Sequence, residues 1–510
     1  MRTEVPSNRS KRLLPFVLSA GVAVTVPAMS LAEPVTATLR PYAPGTPQFG
    51  LGGTPDRPSR AVLRQDEDWS WLRDRPRSEW PSFGAFKYIP LDATGTTFAT
   101  LAFDGRLAYE YFDDEGWGAP PGSDGSAHLR ANAHAAVQFG ERARLYGALK
   151  FGRVEGKRSF VPPAEDDGPD VHQAFAELAF GDLFGLPVQD AFVRAGRQEL
   201  HYGSGRLVSR REGPNVRSDF DGLTIRTRVG ATIAEAFLVR PTEDVDGPFD
   251  NGTDESRALW GAYASTALGE VFVPGGQAPD PLHLDTFYMG QRRDVSPYAF
   301  LPAPVSETRH TLGARLWTAG RPTDGLNIEI EGGFQFGSAD EYDIRAAYAA
   351  GDLSFGFGSF DWTPIVGLRF GVSSGDGDAD DRTIGTFRAP APPGRYFGES
   401  NPIGPGNVAG LGPYLTVSPA EGLTLTVRLQ GFWRLQDEDG LYIPPQAPLR
   451  GPVGGEAFVG AEASLIASYA LDPNTTFDVT LSHFEAGPFL ADNPPGEDIT
   501  YGHARLTFAF

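Results

Sequence analysis

The chain has 510 residues, a formal charge of −21 from 44 basic and 65 acidic side chains, and no cysteine. Without cysteine there is no disulfide scaffold, thiolate metal site or thiol catalysis, and the acidic balance argues against a generic nucleic-acid binder. Only 40% of residues are hydrophobic, too few for a bundle of membrane helices, whereas 12% aromatics with 62 glycines and 44 prolines suit many strands joined by tight turns.

Arg9, Lys11 and Arg12 precede an uncharged, mostly apolar run from Leu13 to Val26, and Ser30-Leu31-Ala32 follows. A positive start, an apolar run and small residues where signal peptidase reads predict a secretory signal peptide over 1–32, too short to span a bilayer. No later stretch approaches the length of an apolar helical span. The exported chain is therefore expected to be soluble or to enter a membrane as strands. Residues 33–95, rich in Pro, Arg and Asp, read as an irregular periplasmic leader, and 96–510 as the folded body.

Beyond the leader, side-chain character alternates with a period of two. In Thr100–Tyr111 one face carries Leu101, Phe103, Leu107, Tyr109 and Tyr111, and the other Ala102, Asp104, Arg106, Ala108 and Glu110. The pattern recurs in Ala127–Phe139, Ile328–Phe336 and Leu423–Leu429. Similar segments begin near Arg144, Val171, Ala191, Asp221, Thr232, Leu259, Leu282, Arg309, Ile344, Pro364, Asn407, Phe458, Thr475 and Thr500. This is strand periodicity, since a helix groups like residues three and four apart. Many segments run about ten residues, enough to cross a bilayer at a tilt. Short connections, at Glu141 and at Pro419–Glu421, contrast with long polar ones at Ser374–Gly406 and Asp437–Gly455.

These features predict an all-β fold: a transmembrane antiparallel β-barrel of about 18 strands with long extracellular loops. Hydrocarbon offers no hydrogen bonds, so the sheet must close on itself. Apolar faces then meet lipid and charged faces meet a lumen too wide for side chains to fill. The chain ends Arg505-Leu506-Thr507-Phe508-Ala509-Phe510, which resembles the C-terminal strand that barrel-assembly machinery recognises through its last Phe. Phe510 and the lipid bilayer are thus expected partners.

Lumenal parity nominates Arg106, Arg130, Lys150, Arg194, Arg226 and Arg428 for the solute path. Acids of the same parity, Asp104, Glu177 and Glu329 among them, predict a mixed lumen. Segment 196–222 concentrates Arg197, Arg206, Arg210, Arg211 and Arg217 among Glu199, Glu212, Asp219 and Asp221. Either the segment folds inward and sets guanidinium groups along the path, with Glu199 and Asp221 keeping anion binding weak, or it is a salt-bridged brace; one loop can do both. Of the 44 basic residues only four are lysine. That bias suits planar recognition of carboxylates, and also follows from genome composition. The run Asp376–Asp381 starts like a calcium loop but has Phe387 where the bidentate Glu belongs. No cofactor, metal or catalytic motif is expected.

The block Gly196-Arg197-Gln198-Glu199-Leu200, Tyr202-Gly203-Ser204-Gly205-Arg206 and Arg211-Glu212-Gly213-Pro214-Asn215 through Phe220-Asp221-Gly222 resembles the alginate-export family of outer-membrane proteins. So do Tyr396-Phe397-Gly398-Glu399 and Ser482-His483-Phe484-Glu485. The resemblance spans about 66–510. It implies a monomeric barrel of 18 strands with an arginine-lined constriction, passing an anionic polysaccharide or sugar acid by passive diffusion. The competing expectations are an exported glycan-binding β-protein and an outer-membrane lipase or deacylase.

Overall fold

The computed structural model describes residues 62–180, 189–272, 274–276, 280–319, 324–400, 402–444, 447–452 and 455–510. The expected signal peptide, and the leader up to 61, lie outside the described residues.

The body is a closed antiparallel barrel of 18 strands. They are β1 (Phe98–Asp113), β2 (Ser123–Phe139), β3 (Ala143–Glu155), β4 (Asp167–Phe180), β5 (Gln189–Gln198) and β6 (Phe220–Val229). Next come β7 (Thr232–Pro241), β8 (Arg257–Val271), β9 (Asp280–Ser296), β10 (Val305–Thr318), β11 (Asp324–Ala339) and β12 (Tyr342–Phe357). The last six are β13 (Ile365–Ser373), β14 (Val408–Ala420), β15 (Leu423–Arg434), β16 (Phe458–Asp472), β17 (Thr475–Ala486) and β18 (Ile499–Ala509). Each segment expected from alternation is one of these strands. Leu107 of β1 faces Leu129 of β2 on one side and Leu506 of β18 on the other, which closes the sheet.

Parity sorts the side chains as lipid and water require. Leu101, Leu107 and Tyr109 point out and are exposed, while Asp104 and Arg106 between them are buried inside. On β11, Ile330, Phe334 and Phe336 face outward and Glu329, Glu331 and Gln335 inward. An arginine on the outer face near mid-bilayer would cost about 2–4 kcal/mol, which this parity avoids.

Long connections gather at one end, the outer end of such barrels. One outer connection departs from the alternation: β11 and β12 turn within two residues, where Ala339 pairs Tyr342. The long β13–β14 loop takes that space. Its Thr383–Ile384 pairs in parallel with Asp343–Ile344, and Ile384 and Ile344 are buried against Tyr298 and Val305.

Of the expected leader, the part from residue 62 onward is ordered in short turns, Arg64–Asp66, Ser70–Asp74 and Arg77–Glu79, and one helical turn, Gly84–Lys87. Phe83 stacks on Phe510 with ring centroids 4.7 Å apart.

Candidate functional site

Two outer loops fold into the barrel. The first joins β5 to β6 and leaves the wall where Gly196 pairs Gly222. Both have positive φ (129° and 156°), and a Cβ on either would lie 2.2 Å from a neighbouring strand's carbonyl oxygen. Only glycine fits such a bend. The second loop joins β13 to β14. A backbone bridge locks the two together: Ser209 N–H donates to the Ala391 carbonyl at 2.9 Å, and Ala391 N–H to the Leu207 carbonyl at 2.8 Å. Tyr202, Leu207 and Phe220 pack with Phe237, Tyr263 and Phe387 into a buried apolar cluster. Loops therefore fill part of the interior.

The β5–β6 loop spans the lumen from wall to wall. Arg206 donates to Glu329 of β11 at 2.6 Å and Ser204 Oγ to Glu331 at 3.2 Å. Near its far end Arg217 donates to Glu212 within the loop at 2.7 Å and reaches Asp104 of β1 at 3.3 Å. Arg130 of β2 meets Glu212 at 2.5 Å. Lys150 of β3 sits 3.2 Å from both Asp219 and Asp244. Arg211 meets Asp244 at 2.6 Å, and Arg210 meets Glu212 at 3.2 Å and the Val62 carbonyl. Arg197 grips Asp221 with two bonds of 2.8 and 3.0 Å, and Glu199 accepts from His172 at 2.8 Å. Arg130, Arg217 and Arg210 together hold the carboxyl of the part-exposed Glu212 well below its ordinary range.

Below this septum lies a cavity of about 2210 Å3. Arg106, Arg194, Arg206, Arg210, Arg226, Arg428 and Glu199 line it. Arg194 pairs with Glu177 and Asp66, both at 2.6 Å; Arg226 with Glu235 at 2.6 Å; Arg428 with Glu399 at 3.1 Å. Arg130, Lys150, Arg211 and Arg217 are instead taken up in loop–wall and loop–loop contacts, and Arg197 and Asp221 pair with each other between the wall strands at the loop's root. The nominated residues thus fall into two groups: lumen-lining cations and the bracing of a septum.

Arg106 differs from its neighbours. Its guanidinium donates to the carbonyls of Glu212, Gly213 and Pro214 at 3.1, 3.2 and 2.9 Å and to Asn215 Oδ1 at 3.3 Å. It makes no ion pair among the described residues.

Sequence reasoning passed over Arg369 of β13, and Arg388 and Arg395 of the second loop. Arg395 meets Glu110 at 2.9 Å and Arg369 meets Asp352 at 3.4 Å, both at the cavity edge. Arg369 has inward parity between Leu368 and Phe370, so alternation could have found it. The loop residues sit beside the Tyr396-Phe397-Gly398-Glu399 motif, the one signal available for them.

The carboxylates of Asp376–Asp381 turn onto their own backbone: Asp376 accepts from Gly385 N–H at 2.7 Å and Asp381 from Thr383 N–H at 2.5 Å. Among the described residues no cluster of His, Asp and Glu is arranged to hold a metal.

Solved structures with this architecture include the outer membrane protein opdK from Pseudomonas aeruginosa, at TM-score 0.53 and 12% identity, over 80% of this chain and 98% of that one. OccK9 (OpdG) of the same organism aligns at TM-score 0.51 and 11% identity over 81% and 98%. These likenesses establish the barrel fold. No curated protein sequence matches the chain. A sequence model of the alginate-export family matches residues 98–500, nearly the whole barrel. With 18 closed strands and two inward loops over a cavity of about 2210 Å3, the protein is an outer-membrane channel, and the chain belongs to the alginate-export family.

Proposed function

We propose that this channel passes anionic solutes, an anionic polysaccharide or its sugar acids, by passive diffusion past lumenal arginines. The observation that carries the reading is Arg106: a guanidinium at the cavity wall, held on backbone carbonyls and free of ion pairing among the described residues. A cation held on neutral carbonyls keeps more of its attraction for a passing carboxylate than a guanidinium already on a carboxylate does. Arg395, Arg428 and Arg505 line the same cavity, each on its own carboxylate (Glu110, Glu399 and Asp478), so they add only a weak attraction that limits how tightly an anion is held. Export by the 1–32 signal peptide, and insertion as a monomer by machinery that reads Phe510, complete the proposal.

The test is the reversal potential of purified protein in planar bilayers under a KCl gradient. Anion selectivity is expected, and Arg106→Gln with Arg428→Gln shifts it toward cations. A cation-selective wild type, or a double variant without a shift, refutes the arginine assignment.

A further inference from the structure

Residues 62–69 run inside the barrel. Gln65 is completely buried; its Nε2 donates to the Glu199 carbonyl at 2.9 Å, and its Oε1 accepts from Glu199 N–H at 3.2 Å and from Gln173 of β4. The Val62 carbonyl accepts from Arg210 of the lumenal loop. Arg64 donates to the Phe510 carbonyl at 2.5 Å. Between these ties Asp66 bridges two wall arginines, Arg194 of β5 at 2.6 Å and Arg226 of β6 at 3.3 Å.

The charges around that bridge balance. Arg144 and Arg194 share Glu177 at 2.5 and 2.6 Å, Arg226 holds Glu235 at 2.6 Å, and Asp66 is the third carboxylate against three guanidinium groups. Glu177 and Glu235 are fixed on β4 and β7, and Asp66 alone arrives on a segment outside the wall. Its withdrawal leaves the patch one anion short. The two guanidinium groups are also held from behind: Arg194 lies 4.6 Å over the Phe175 ring and Arg226 5.2 Å over Phe192. Cation–π contact keeps them presented to the cavity they line, whatever carboxylate sits in front.

We infer that Arg194 and Arg226 form a carboxylate-binding site on the lumen wall, filled in this structure by the chain's own Asp66, and that residues 62–69 are a strap displaced by an anionic solute. The identity of the displacing ligand rests on the anion-channel reading above; the occupied site does not. A tethered carboxylate competes at an effective concentration in the roughly millimolar range. An oligouronate with several carboxylates, engaging neighbouring cations at once, displaces it below that range, and a neutral oligosaccharide does not. The strap can leave without uprooting residues 70–98: Phe83 stacks on Phe510 at the rim, and Leu72, Tyr88 and Phe98 remain a buried cluster once Trp69 parts from it and Glu67 from Lys87.

The absence of cysteine gives a clean reporter. Leu63 is 7% exposed beside Asp66. In the full-length protein in detergent, the thiol of Leu63→Cys should react slowly with a maleimide. Adding Asp66→Asn, or Arg226→Gln as a second way of cutting the same bond, should speed labelling about tenfold, the effect of losing one charge-assisted hydrogen bond. Trigalacturonate should speed it where Asp66 is intact and leave the Asp66→Asn protein unchanged; maltotriose should do neither. Heat-modifiable migration confirms that each variant is folded. Fast labelling with Asp66 intact, or no change in either variant, overturns the strap. Acceleration by the variants without any by trigalacturonate overturns displacement by carboxylates. A cation-selective wild type with accelerated variants defeats the anion-channel reading and leaves the Asp66-filled site standing.

Discussion

Arg206 and Glu329 meet across the lumen at 2.6 Å, and the same Glu329 oxygen accepts from Arg315 of β10 at 3.0 Å. This contact pins the β5–β6 loop to the wall opposite its Arg217 anchor. Arg206→Ala removes one of the two guanidinium groups from Glu329 and leaves its charge facing the path. Arg315 still holds Glu329, so the cost falls below the roughly 3–5 kcal/mol of leaving a buried charge unpaired, and is felt as loosening of the loop rather than of the wall. The expected readout is a larger, noisier single-channel conductance with a shift toward cations. Glu329→Gln added to Arg206→Ala should reverse most of the selectivity shift.

The wall bend at Gly222 should be intolerant of any side chain. Alanine there must hold φ near 156° with its Cβ 2.2 Å from the Leu238 carbonyl oxygen. The strain and steric shift should cost about 1–3 kcal/mol. Gly222→Ala is expected to lower the urea midpoint of the refolded barrel and its yield of heat-modifiable species. Gly147 of β3, with open space around its Cβ position and no positive φ, is the control for position in the barrel.

Lipid and lumen faces should respond oppositely to the same substitution. Leu107 is 57% exposed on the outer face in mid-strand, and Ala108 next to it lines the cavity. Leu107→Arg should destabilise the barrel in lipid vesicles by about 2–4 kcal/mol. Ala108→Arg should leave the urea midpoint nearly unchanged while raising anion selectivity.

The lumenal loop should loosen in acid through His201. Burial, with Arg210 beside it, pushes the imidazole down to about 4 from its ordinary 6.5. The unfolded loop therefore binds the proton more readily than the folded one. The stabilisation is complete above pH 6.5 and fades as pH falls toward 4. Hydrogen exchange across residues 199–219, corrected for intrinsic rate, should accelerate over that window, and His201→Phe should flatten the response.

Much of the barrel was legible beforehand because a strand has a period of two and a bilayer punishes the wrong parity. Asp104, Arg106 and Glu329 were assignable to the interior from their neighbours Phe103, Leu107 and Ile330. The β11–β12 turn was not, since its tightness depends on Thr383–Ile384 returning from a later loop. Asp66 was equally hidden: nothing in Arg64-Gln65-Asp66 signals that it lies between Arg194 and Arg226.

Which face each wall residue takes is a local matter, settled by the two-residue repeat and the contrast between oil and water, so the amino-acid order was enough. Which cation meets which anion is not local. Arg106 resting on carbonyls, Arg206 reaching β11 and Asp66 bridging β5 and β6 all depend on where distant segments fold within the lumen. At contact distance one carboxylate neutralises a guanidinium and a shift of a few ångströms frees it, so the charges open to a solute come from the packing of the loops and not from a count of arginines.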